Sequence, residues 1–384
     1  MCPNEVSGGH PGWQTGPVND IAEVYRRRID RVRHAMSECG VDVVMLSAGH
    51  DLPYLTGYEA MPLERLTMLV VDRDRVPSLL IPRLEVPRVE PLDGVFEVQA
   101  WDETDDPVAL AAALAGDART VAIGDQMWAR FLVELLGLLP DVRYRRAVEV
   151  VGPLRMRKDE AEIAALAAAG AAVDRIAGEL QSGQIPLVGR TEADVSADLS
   201  ARIVAEGHDR VNFAIVAAGE NAASPHHHPG NRVIREDEIV LCDFGGTMKG
   251  YCSDTTRCVV TGEIPADIAE AYEVLHAAQQ AAVAAAVVGT PCAQVDRAAR
   301  QIIERAGYGE YFVHRTGHGI GLEEHEDPYI VDGNDLALEH GHAFSIEPGI
   351  YLPGRWGMRL EDIVVATVDG PVSMNNSDHR LISV

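Results

Sequence analysis

The chain has 384 residues, 47% hydrophobic and 24% charged, a balance that excludes a disordered or fibrous polymer and supplies apolar side chains for two or three cores. Its 33 Lys and Arg stand against 59 Asp and Glu, for a formal charge of −26. A surface that acidic repels phosphate backbones and anionic lipids, so nucleic acid and membrane are not expected partners.

The first twenty residues are polar and rich in Gly and Pro, without the basic start and apolar run of a secretory signal. Residues 1–20 therefore read as a flexible N-terminus. No uncharged apolar run reaches the roughly 18 residues of a membrane span, Ala281–Gly289 coming nearest, and a cytoplasmic protein is expected. The six cysteines (Cys2, Cys39, Cys242, Cys252, Cys258, Cys292) form no CxxC pair and read as reduced, mostly buried thiols.

Ile21, Val24, Ile29, Val32 and Met36 recur at helical spacing, which predicts a helix over 21–39 closed by Gly40. Strand-like runs follow at 41–46, 66–71, 78–82, 96–101 and 120–124, interleaved with helical patterns at 107–115 and 128–138. Such alternation predicts an α/β domain over 21–150 with a partly parallel sheet. It contains no Gly-rich phosphate loop and no cluster of ligand-type residues.

Near 150–158 a basic, Pro-containing joint leads into an Ala-rich helix expected over 158–181. Thr191-Glu-Ala-Asp is a capping-box signal for a second helix that stops before Gly207. Two further helices are expected near 265–288 and 291–306, with Pro291 at a first helical position. Residues 155–384 thus form an α+β domain, an antiparallel sheet backed by helices, and all the concentrated polar patterns lie in it.

Within EIVLCDFGGTMKGYCSDTTRCVV (238–260), apolar strands flank a Gly-rich turn. A tip at Met248–Lys249 would set Asp243 opposite Asp254, and like charges directly opposed on buried strands are costly. A cation turns that cost into a gain. The pattern recurs in AFSIEPGIYLPGRWGMRLEDIVVAT (343–367), where Glu347 and Glu361 stand either side of a loop centred on Gly354. Two such pairs point to a four-carboxylate site for hard divalent ions. Between them FVHRTGHGIGLEEHEDP carries His314, His318 and His325, with His318 between Gly317 and Gly319, where small residues let the backbone approach closely. A further cluster, SPHHHPG, holds His226, His227 and His228, and no HExxH zinc signature occurs.

VLCDFG, GYCSDTTR, HRTGHGIGLEEHE, SIEPGIY and MRLED, in this order, resemble the pita-bread metallopeptidase family of Xaa-Pro dipeptidases (prolidases), Xaa-Pro aminopeptidases and methionine aminopeptidases. Residues 21–150 resemble the creatinase-type N-terminal domain of its two-domain members. The resemblance implies metal ligands at Asp243, Asp254, His318, Glu347 and Glu361. It also implies a substrate-side histidine at His226, further active-site histidines at His314 and His325, and supporting roles for Tyr351 and Arg359.

Five ligands, four of them anionic, are too many for one tetrahedral zinc and suit two divalent ions. Mn²⁺ is the first choice, with Co²⁺ or Zn²⁺ as substitutes. The mechanism implied by the family is attack by a metal-bridging hydroxide, with Glu347 as general base and then acid and His226 and His325 polarising the carbonyl. The expected substrate is an Xaa-Pro dipeptide, or a short peptide if the enzyme is an aminopeptidase, and a homodimer is expected. A small-metabolite amide hydrolase and a non-enzymatic binding module are the other readings, the last predicting eroded ligands that this sequence does not show.

Overall fold

The computed structural model describes residues 21–384; the stretch 1–20, with its expected flexibility and Cys2, lies outside the described residues. The chain divides into two compact units, one ending at Arg155 and one spanning Met156–Val384.

The first unit is built on a six-stranded sheet. Its elements in chain order are α1 (Ile21–Cys39), β1 (Val43–Ser47), α2 (Asp51–Thr56), β2 (Met68–Asp72), β3 (Ser78–Pro82), β4 (Glu97–Trp101), α3 (Pro107–Ala115), β5 (Thr120–Ile123), α4 (Ala129–Leu138) and β6 (Arg143–Arg146). The spatial order is β4-β3-β2-β1-β5-β6, with β1 parallel to β5 and antiparallel to β2, which gives the partly parallel sheet expected. α1 buries Ile29, Val32 and Met36 on one stripe and ends at Gly40, whose φ of 65° is open to glycine at little cost. α2 and β6 carried too little periodicity to be read. α5 (Val148–Met156) is the other departure, since it makes the expected joint helical in spite of Pro153.

The second unit opens with α6 (Glu160–Gln181) and α7 (Glu192–Ala205). Asp159 and Thr191 are their N-caps, each in a reciprocal capping box, so the Thr-Glu-Ala-Asp signal marks a real helix start. β7 (Arg210–Ala218), β8 (Glu238–Met248), β9 (Tyr251–Cys252) and β10 (Thr255–Thr261) follow, then α8 (Ala266–Ala285) and α9 (Cys292–Arg305). Pro291 is the N-cap of α9 rather than its first residue: its ψ of 140° is extended, and helical geometry begins at Cys292. β11 (Gly317–Gly319), β12 (Glu326–Ile330), β13 (Ala343–Ile346), β14 (Gly349–Leu352), β15 (Trp356–Arg359), β16 (Asp362–Thr367), β17 (Gly370–Ser373) and β18 (Ile382–Ser383) complete the unit.

One sheet runs β18-β10-β8-β7 and a second β12-β11-β13-β16-β17, antiparallel but for the β10–β18 pair. A bridge between Thr256 and Glu361 links them. Alternation along β8 divides its side chains between two cores: Ile239 and Leu241 join the cluster of α8 and α9, while Val240, Cys242 and Phe244 join that of α6 and α7. Asp243 shares the odd-numbered face. Cys242, Cys252, Cys258 and Cys292 are free and buried, whereas Cys39 is disulfide-bonded and departs from the reduced reading. Among the described residues, no helix is long and apolar enough to cross a membrane.

Candidate metal centre

The β8–β10 hairpin turns one residue later than expected. Lys249 and Gly250 both have positive φ, 49° and 86°, the geometry of a tight two-residue hairpin turn, so they form the tip. Asp243 therefore pairs with Thr256 rather than with Asp254. The shift changes the partner by two positions, which preserves the face, so Asp254 lies diagonal to Asp243 on the same side. Asp254 itself falls in the break between β9 and β10.

Glu347 and Glu361 keep the symmetry read from the sequence. Ile346 pairs with Asp362 on one side of them and Gly349 with Arg359 on the other, so the two glutamates face each other across a gap between two ladders in one register. Glu361 reaches β10, where the Thr256 hydroxyl donates to its Oε2 at 2.6 Å.

His318 sits in the middle of β11. Its backbone N–H donates to the Ser345 hydroxyl at 3.0 Å, and that hydroxyl donates to Glu347 Oε1 at 3.1 Å. His318 Nδ1 lies 3.1 Å from the Gly319 carbonyl, an arrangement that puts the proton on Nδ1 and leaves the Nε2 lone pair free. Nε2 is 3.3 Å from Glu347 Oε1 and 3.7 Å from Asp254 Oδ2. The adjacent glycines are needed because a Cβ at Gly317 would lie 1.8 Å from the Ser345 carbonyl oxygen, and one at Gly319 2.4 Å from the Asp327 backbone.

Asp254, His318 and Glu361 each offer a ligand atom within 4.8 Å of the others, and Glu347 joins them through His318. Asp243 instead receives the Arg359 guanidinium at 2.5 Å on Oδ2. The four carboxylates are buried or nearly so, and Oδ1 of both Asp243 and Asp254 has no hydrogen-bond partner among the described residues.

Burial first, then repulsion from Glu361, Asp243 and Glu347, holds the Asp254 carboxyl well above the usual range. Glu361 is raised by burial and by Glu347 and Asp243. Glu347 is pushed up by burial to about 7. Desolvation, followed by the charge of His325, takes His318 down to about 3, so its imidazole is neutral. Orphaned anionic oxygens beside a neutral imidazole are a donor set that divalent cations fit.

Arg359 donates to the Tyr351 hydroxyl at 2.8 Å and to Thr256 Oγ1 at 3.0 Å, besides its pair with Asp243. The Tyr351 hydroxyl lies 2.9 Å from His314 Nε2, and His314 Nδ1 is 2.7 Å from the Arg315 carbonyl. Both ring nitrogens of His314 are thus engaged inside the protein, and burial lowers it to about 4. His325 stacks edge-on to His318 with ring centroids 4.0 Å apart. His226 is exposed and carries no hydrogen bond among the described residues. It follows Pro225, whose carbonyl accepts from Arg359 at 3.4 Å.

Three supports were not legible in the motifs. Glu192, fully buried at the start of α7, accepts from Ala218 N, Asn221 Nδ2 and Gly230 N and lies 2.8 Å from His227 Nε2, so it ties down the loop that carries His226. Asp296 on α9 accepts from the backbone N–H and hydroxyl of Thr316 and pairs with Arg300, which donates to the Phe312 and His314 carbonyls. Thr256 and Ser345 are the third support. Each lies two residues from a carboxylate, on the same strand face, and period 2 would have found them.

Residues 161–368 match the family described as Metallopeptidase family M24, and residues 28–157 match the Creatinase/Prolidase N-terminal domain. The probable dipeptidase PepE of Mycobacterium tuberculosis is 47% identical over 371 residues, 94% of this chain and 97% of its own length. The Xaa-Pro dipeptidase of Lactobacillus helveticus is 37% identical over 361 residues, 92% of this chain and 98% of its own. The crystal structure of dipeptidase PepE from Mycobacterium ulcerans superposes with a TM-score of 0.90 at 46% identity, covering 95% of this chain and 99% of that one.

Proposed function

Because this chain belongs to metallopeptidase family M24, we propose that it hydrolyses the Xaa-Pro peptide bond of dipeptides, using two divalent ions held by Asp243, Asp254, His318, Glu347 and Glu361. The observation that carries this reading is the buried group of Asp254, His318 and Glu361, with Glu347 at its edge and orphaned aspartate oxygens beside it. Such ions, when bound, bring a water's pKa toward 7 and polarise a carbonyl. Four carboxylates and one imidazole favour Mn²⁺, with Co²⁺ or Zn²⁺ as substitutes.

The protein's own groups divide the remaining work. Glu347, with Oε1 3.3 Å from His318 Nε2 at the edge of the group, would take a water's proton and return it to the leaving nitrogen. His325 and His226 orient the scissile carbonyl, and proline's tertiary amide demands no acceptor for an N–H it lacks. Arg359 holds Asp243 and Tyr351, and Tyr351 holds His314, a relay that fixes the site's outer wall. The protein acts as a cytoplasmic homodimer in this reading, so sedimentation should give twice 41.5 kDa.

Metal-free protein reloaded with each ion, and assayed on Xaa-Pro, Xaa-Pro-Xaa and Xaa-Ala, tests the proposal. Proline release from Xaa-Pro with Mn²⁺ supports it. Turnover of Xaa-Pro-Xaa alone would make the enzyme an aminopeptidase, and no turnover with any ion would overturn the assignment.

A further inference from the structure

The ladder that leads to Asp254 is interrupted at Ser253, although its register is not. Thr247 faces Cys252 in β9 and Phe244 faces Thr255 in β10, so Gly246 stands opposite Ser253 and Gly245 opposite Asp254. The Ser253 amide donates to the Gly246 carbonyl at 2.8 Å, one of the two bonds that a hydrogen-bonded antiparallel pair exchanges. The second is replaced. The Gly246 N–H, which an unbroken ladder would give to the Ser253 carbonyl, goes to the Ser253 hydroxyl at 3.1 Å. The displaced carbonyl oxygen lies 2.1 Å from where a Cβ on Gly245 would stand, so only glycine fits there.

A hydroxyl that accepts from one side must send its own proton to another. His208 is there to take it. Buried in the turn after α7, it has Nε2 2.8 Å from Ser253 Oγ and Nδ1 3.2 Å from the Ile203 carbonyl. A carbonyl only accepts, so the ring proton lies on Nδ1 and Nε2 accepts from the serine. The Gly246 carbonyl, 3.3 Å from the same hydroxyl, is the longer alternative and already receives the Ser253 amide. Burial lowers the His208 pKa, which keeps the ring neutral and able to accept. The same turn grips the hairpin tip: the Asp209 amide donates to the Thr247 carbonyl at 2.8 Å, and its carboxylate accepts from the Lys249 amide at 2.6 Å.

Resting on the two-ion reading above, we infer that His208 is a positioning residue for the metal centre: it fixes the Ser253 hydroxyl in the ladder, and the break so formed presents Asp254, the next residue, to the ions. Its own hydrogen bonds go to Ile203 and Ser253 and to no ligand side chain. The effect on the ions passes entirely through one serine.

The test is the Mn²⁺ affinity of metal-stripped full-length protein, by calorimetric titration, for wild type, Ser253→Ala, His208→Phe and His208→Gln. Phenylalanine keeps the ring without an acceptor, whereas the glutamine amide oxygen can take the place of Nε2. Affinity should fall about tenfold in Ser253→Ala and in His208→Phe, no further when the two are combined, and much less in His208→Gln. Packing alone would lower the urea midpoint of the variants and leave the affinity of folded protein unchanged, which would overturn the inference. Nuclear magnetic resonance of the His208 ring nitrogens in wild type should show the Nδ1–H tautomer, a measurement that needs no variant to fold, and the Nε2–H tautomer would overturn it as well. Either result leaves the two-ion reading standing. Wild type that binds no Mn²⁺ would bring down both.

Discussion

Thr256 and Glu361 are joined twice: the Glu361 amide donates to the Thr256 carbonyl at 3.3 Å, and the Thr256 hydroxyl donates to the Glu361 carboxylate at 2.6 Å. Since Thr256 also pairs in register with Asp243, one residue couples the two carboxylate-bearing hairpins. Replacing it with valine keeps its shape and removes the hydroxyl that orients Glu361 and receives Arg359. Metal affinity of Thr256→Val, followed by calorimetric titration, should fall about tenfold, the usual cost of losing a group that orients a ligand. Unchanged affinity would mean that the carboxylate is oriented without it.

The raised carboxyls set the pH behaviour of the metal-free protein. Glu347, at about 7, holds a proton in the folded state that the unfolded chain has already released. Folded protein therefore binds more protons than unfolded at this group, and stability falls as pH rises through the window from the ordinary glutamate value of 4.5 to about 7. Asp254 and Glu361 act in the same direction. His208, His314, His318, His325 and His342 are lowered by burial and act oppositely, their stabilisation being lost as pH falls through the ordinary histidine value of 6.5. The opposing histidine contribution persists for about a unit above 6.5, so the sharper readout is the metal-induced shift: added Mn²⁺ should raise Tm more at pH 8 than at pH 6.5, because ligand deprotonation no longer opposes binding. A metal-induced shift that shrinks with pH would contradict this account.

Gly317→Ala tests the backbone around His318. The added methyl would meet the Ser345 carbonyl oxygen at 1.8 Å, so β11 and β13 must separate. A loss of about 2–3 kcal/mol is expected from such overpacking, read as a lower urea midpoint with unchanged slope. Metal binding should weaken with it.

Glu192→Ala leaves the Ala218 and Gly230 amides, Asn221 and His227 without their shared acceptor in a fully buried place. About 3 kcal/mol of stability should be lost, measured by denaturant titration. Glu192→Gln, which retains one acceptor oxygen, should lose less, and its KM should rise while metal affinity holds, because the loop it secures carries His226 and no metal ligand.

Much of the centre could be read from residue spacing because paired strands make it. The Glu347–Glu361 pairing followed from a loop centred on Gly354, and a single register runs through both ladders that flank it. The β8–β10 pairing was misplaced because the turn depends on backbone angles at Lys249 and Gly250 that composition does not fix. His318 stood out through its glycines, which exist to admit neighbouring backbone. Glu192 and Asp296 gave no signal, since each looks like an ordinary polar residue near a helix start and acts only through segments distant in sequence. His227 was left without a role for the same reason, its partner lying 35 positions earlier.

β14 and β15 form a two-stranded arm whose exposed tip, residues 353–355, is tied to α8 by the Arg355–Asp267 pair, while its root is clamped by the ladder below the glutamates. Length at that far end is consequently uncoupled from the distance between Glu347 and Glu361. A short epitope or fluorophore tag inserted between Pro353 and Gly354, which leaves the Arg355–Asp267 pair in place, should ride on the enzyme without disturbing ion capture, whereas deleting one residue nearer the root would reverse which way a glutamate points.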